Sequence, residues 1–153
     1  MNMAMVMVVV LAAPAATLTG DKAEVIPAHE VQTQLAQLVP QAKASGSSGS
    51  TLASYGNLAL SLSVRTANGG AEIHAHYDDL MIVQQGSATL ITGGTVVDPK
   101  LGSDGEIKGT GIQYGLQRTI MPGDVVIVPA GMPHQLLVPP GTIYSAMVAK
   151  VKE

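Results

Sequence analysis

Leu58, Leu60, Leu62 and Val64 alternate with Ala59, Ser61, Ser63 and Arg65, which is the two-residue period of a strand with one buried face. Short apolar runs of the same kind follow at 73–77, 80–85, 87–92, 95–97, 116–121, 125–128, 135–138 and 142–151, each bounded by Gly, Asp or Pro. A longer polar connection covers 98–110. Ahead of the strands, Val31, Leu35, Leu38 and Val39 recur at helical spacing with Gln32, Gln34 and Gln37 between them, and Pro40 is expected to close that helix. Residues 45–50, Ser-Gly-Ser-Ser-Gly-Ser, read as a flexible connector. One short helix followed by many short strands predicts an all-β sandwich or barrel.

The first sixteen residues are almost wholly apolar and end in Ala13-Pro14-Ala15-Ala16, the small-residue pattern of a cleaved signal peptide. The expectation is a secreted or periplasmic protein, although no Lys or Arg precedes the run. A swapped or disordered N-terminal strand is the alternative. The apolar stretch stops short of the roughly twenty residues that span a bilayer, so no membrane association is expected after cleavage. This divides the chain into a leader at 1–16, an extension with helix and Gly/Ser linker at 17–52, and a barrel at 53–153.

Composition narrows the chemistry. The 153 residues suit one domain, and a charged fraction of 12% with net charge −3 offers no basic face for nucleic acid. There are no cysteines, which removes disulfides and thiolate ligands and leaves imidazole and carboxylate as the strong donors. Phe and Trp are absent and only four tyrosines are present, so no wide aromatic platform is encoded.

Three of the four histidines lie in two punctuated stretches, Gly70-Ala71-Glu72-Ile73-His74-Ala75-His76-Tyr77-Asp78-Asp79 and Pro129-Ala130-Gly131-Met132-Pro133-His134. Two residues apart on one expected strand, His74 and His76 would face the same side. They cannot complete a metal shell alone, and His134 is the natural third ligand. Glu72 shares that face at its outer end. Asp78 continues the alternation, whereas Asp79 opens the next apolar run and is the favoured carboxylate after a tight reversal. Asp78 or Glu72 could move a proton, and Tyr77 stands beside Asp78 as a catalytic candidate, although it points to the opposite strand face. His29 reads as a surface residue, and Met132 as a gap filler in preference to a soft axial ligand.

The spacing from Gly123 through Pro129 and Gly131 to His134 resembles the second cupin motif, and His74-x-His76 followed by an acid and Gly86 resembles the first. The resemblance covers roughly 58–151. It implies a single jelly-roll β-barrel, often in a homodimer, with His74, His76, Asp79 and His134 around one divalent transition metal. Asp79 stands where the motif has glutamate, and after only two intervening residues; Val138 stands where asparagine is usual. If the shorter acid falls outside the shell, three imidazoles remain, which suit copper or zinc; with added oxygen ligands iron or manganese is preferred. Copper or iron is favoured. The first expectation is an oxidoreductase using dioxygen or peroxide on a small molecule, a carbohydrate or a plant-polymer fragment. A redox-neutral isomerase or lyase, and a non-catalytic binding module, are the alternatives.

Overall fold

The computed structural model describes residues 16–17 and 23–153, the first pair as backbone only. The expected leader at 1–16 therefore lies outside the described residues except for Ala16. That residue and Thr17 form β1 (Ala16–Thr17), which runs parallel to a later strand at Ala53 and Ser54.

A helix, α1 (Ala28–Ser45), comes next, followed by β2 (Ser47–Tyr55), β3 (Leu58–Arg65), β4 (Ala71–Ile73), β5 (Tyr77–Gln85), β6 (Ala88–Thr92) and β7 (Thr95–Val97). Then come β8 (Lys100–Leu101), β9 (Ile107–Gly109), β10 (Gly111–Gln113), β11 (Leu116–Ile120), β12 (Val125–Val128), β13 (His134–Leu137) and β14 (Tyr144–Lys152). Among the described residues these strands form two six-stranded sheets, β1-β2-β3-β14-β5-β12 and β11-β6-β13-β4-β9-β8, with β10 and β7 paired separately. Their inner faces share one core, in which Met81, Val83, Val128 and Ala146 of the first sheet meet Ala88, Leu90 and Ile120 of the second. This is the expected jelly-roll architecture, with the helix on its N-terminal side.

Three local expectations are corrected. The helix does not stop at Pro40 but runs on to Ser45, with Gly46 (φ 89°) turning the chain and donating its N–H to the Ala42 carbonyl at 2.7 Å. A proline removes one backbone donor. Here it and Ala36, whose carbonyl loses that donor, both lie on the exposed face, where water can satisfy the oxygen. The next turn buries Ala42 completely, on the same face as Val31 and Leu35, against Leu52, Leu62 and Val64. The Ser-Gly segment at 45–50 is likewise no flexible connector. It enters β2, whose backbone pairs with β3 from Ser47↔Arg65 to Tyr55↔Leu58, so a hydrogen-bonded ladder orders it without large side chains. The polar connection at 98–110 contains the short strands β8 and β9.

The alternation in β3 has an unexpected orientation. Leu62 and Val64 face the helix outside the barrel, so Ser61, Ser63 and Arg65 face inwards and line a cavity. The inner face of the first sheet is therefore apolar at one end and polar at the other.

Candidate metal centre

The polar end of the barrel holds a cavity of about 340 Å³ between the sheets. His74 directly follows β4 of one sheet, the chain reverses at Ala75-His76, and Tyr77 begins β5 of the other. Asp79 then points inwards, with Lys150 directly opposite on β14. His134 opens β13 and pairs across the ladder with Glu72 on β4. Two motif glycines permit these turns. Gly131 (φ 77°) donates its N–H to the His74 carbonyl at 2.8 Å, linking both histidine-bearing turns. Gly86 (φ 68°) ends β5 where a side chain would collide with the Ile143 carbonyl.

Four donor groups converge. Glu72, His74 and His134 have ligand atoms all within 4.8 Å of one another, the spacing that one metal ion requires. The Asp79 Oδ2 lies 3.3 Å from His74 Nε2 and 3.7 Å from His134 Nε2, and Glu72 Oε2 lies 3.9 Å from His74 Nε2. His74, Asp79 and His134 are all buried, and the two imidazole centroids are 5.1 Å apart.

The fit of these residues to a metal rests on their other nitrogens. His74 Nδ1 is 2.5 Å from Glu106 Oε2, and His134 Nδ1 is 3.1 Å from the Met132 carbonyl oxygen. Each Nδ1–H donating to such an acceptor leaves Nε2 as the free lone pair, aimed into the cavity. Metal-binding histidines are held in this way. The Met132 sulfur takes no part in this; its backbone carbonyl does.

The charges are correspondingly organised. Burial tends to raise the Asp79 pKa, but its hydrogen bonds to His74 and Lys150 outweigh that and bring it below the usual 3.8. The Asp79 hydrogen bond also raises His74 above 6.5, against desolvation and with help from Glu106. Burial lowers His134 below 6.5. Lys150 Nζ is 2.9 Å from Asp79 Oδ1, so this carboxylate is shared between a lysine on one oxygen and two imidazoles on the other.

Not every expected site residue joins the group. The strand β4 ends at Ile73, before His74, so His74 and His76 do not share a strand face; the Ala75-His76 turn leaves His76 exposed, beside Gly105. Asp78 faces away from the cavity and accepts the Ala130 N–H at 2.8 Å, bracing the turn that leads to His134. Tyr77 is 3.4 Å from Asp104 at the exposed rim, with Lys152 over its ring. Glu72, expected at the margin, lies within the donor group. Glu106 and Lys150 were not anticipated: one sits in the polar connection, the other in an apolar run far along the chain, and only the sheet register brings them here.

No protein-family model matches the sequence, and no curated protein does. Several solved structures are similar. BH2720 from Bacillus halodurans is 16% identical, with 90% of this chain and 87% of that one covered and a TM-score of 0.61. The polyketide cyclase RemF from Streptomyces resistomycificus is 15% identical, covering 71% and 67%, with a TM-score of 0.52. The DMSP lyase DddQ from Ruegeria pomeroyi is 18% identical, covering 70% of this chain and 47% of that one, with a TM-score of 0.51. At such identities the likeness is one of fold, the jelly-roll barrel that the two six-stranded sheets form.

Proposed function

We propose that this chain is a mononuclear metal-dependent enzyme that oxidises a small organic substrate with dioxygen or peroxide. The observation that carries the reading is the pair of tethered imidazoles, His74 and His134, whose free Nε2 atoms meet carboxylates at 3.3–3.9 Å. Two histidines with carboxylate, leaving positions open, suit iron in oxygen-using sites, which favours iron over copper among the metals expected. A divalent ion held there would supply Lewis acidity and open coordination positions.

The chain's own residues do the remaining work. Glu106 and the Met132 carbonyl fix the imidazole orientations. Asp79 is held at the cavity wall by Lys150. Met81, Leu136 and Val148 supply an apolar side that keeps water from a bound substrate. The absence of Phe and Trp favours a soluble small molecule over a polysaccharide surface.

The Lys150–Asp79 pair gives the redox-neutral reading its support, since a lysine against a carboxylate can hold and pass a proton without an oxidant. Fold does not choose between the two, because one barrel hosts many chemistries. An exported homodimer is part of the same proposal. It rests on the apolar residues 1–16 and on Val125 and Ile127, exposed along the sheet-edge strand β12.

The test is oxygen uptake by protein loaded anaerobically with iron(II), on addition of aliphatic acids, phenolic acids and oligosaccharides in turn. Substrate-dependent uptake that is lost in His134→Ala supports the proposal. Anaerobic turnover with zinc or manganese would replace it with the isomerase or lyase reading, and ligand-dependent thermal stabilisation without turnover would make the chain a binding module.

A further inference from the structure

The cavity contains three carboxylates, and each has a cationic or imidazole partner. Glu72 meets Lys108 and His74, Asp79 meets Lys150 and both imidazoles, and Glu106 meets His74. Arg65 lines the same cavity, and its guanidinium has no hydrogen bond or ion pair among the described residues. Its place is fixed by β3, where it follows Ser61 and Ser63 on the inward face, opposite the fully buried Tyr144 on β14. The guanidinium lies against Gly69, with Nη1 2.9 Å from where a Cβ at that position would stand. A half-buried guanidinium beside carboxylates that already have cationic or imidazole partners is a donor fork suited to an anionic ligand.

We infer that Arg65 binds a carboxylate of the ligand, so that the cavity takes an extended organic acid with its charged end at Arg65 and its other polar end at the imidazole pair. The sheet register separates the two ends: Arg65 pairs with Tyr144 at the start of β14, whereas Asp79 pairs with Lys150 near its end. The wall between them combines the hydroxyl-bearing Ser61 and Ser63 with apolar Met81 and Val148, which suits a short chain of methylene or hydroxylated carbons. A cavity of about 340 Å³ matches the lower part of the range for small-molecule sites, roughly 300–1,000 Å³. The inference deepens the function proposed above and rests on it only for what the ligand meets at the imidazole end.

Calorimetric titration with adipate, its neutral diamide, acetate and inorganic phosphate tests it, on wild-type protein and on Arg65→Gln and Arg65→Lys, each with and without zinc. Adipate should bind wild type at least tenfold more tightly than either the diamide or acetate. Arg65→Gln should lose that preference while keeping its zinc content and thermal midpoint, and Arg65→Lys should retain part of it. The Arg65-dependent preference should persist in zinc-free protein, so failure to bind metal would sink the enzyme reading and leave this one standing. Equal affinity for adipate and the diamide, adipate binding undiminished in Arg65→Gln, or tighter binding of phosphate than of adipate would overturn the inference.

Discussion

Protonation pulls the two cavity imidazoles in opposite directions. The Asp79 hydrogen bond holds His74 above 6.5, so in metal-free protein its stabilising contribution is complete below pH 6.5 and is lost as pH rises through its folded pKa. Buried His134 sits below 6.5, so its contribution is present above that pH and is lost as pH falls through its lowered value. Asp79, lowered beneath 3.8, contributes above pH 3.8 and loses that contribution as acid takes the pH through its folded pKa. A metal takes only the neutral imidazoles. Zinc affinity from competition titrations should therefore climb with pH through 6.5 and level off only above the raised pKa of His74; a flat profile from about pH 6 to 8.5 would contradict the assignment. Glu106→Gln removes the charged acceptor from His74 Nδ1 and should weaken zinc binding about 10- to 100-fold with little change in stability. His74 and His134 were legible from motif spacing. Glu106 was not, because it lies 32 residues from the histidine it orients and in a segment without periodicity.

Strands were legible wherever one face is apolar, as in β3, β5 and β12, but the sequence pattern does not say which side of a sheet is the interior. In β3 the leucines face the helix and the serines and Arg65 face the cavity, so the polar positions that resemble a solvent face carry the binding chemistry. The helix and β2 were misread for a related reason. Proline and a Ser-Gly run weaken local propensity, whereas the buried face of α1 and the ladder with β3 act over longer range and prevail. Pro40→Ala restores a backbone donor inside an exposed helical turn, and an interior proline costs up to about 3 kcal/mol relative to alanine. The substitution should raise stability by about 1–3 kcal/mol, read from the urea midpoint; a loss of stability would show that the helix end depends on the proline.

Across the whole molecule, the barrel separates a stabilising apolar end from a polar cavity assembled from both sheets. His74, Glu72 and His134 come from one sheet, Asp79 and Lys150 from the other, so the donor group exists only when the sheets close on each other. Motif spacing pointed to the histidine-bearing turns, but the pleat rule placed His76 beside His74 by extending a strand through what is a reversal between sheets. The sheet register supplies the carboxylate and lysine partners that sequence distance conceals. The most direct test of the central claim is metal stoichiometry after equilibrium dialysis against zinc or iron(II), followed by elemental analysis, for wild type, His74→Ala, His134→Ala and His76→Ala. One ion per chain should be found in wild type and in His76→Ala, with less than about a tenth of that in the other two. Full occupancy in His134→Ala, or loss in His76→Ala equal to that in His74→Ala, would contradict it.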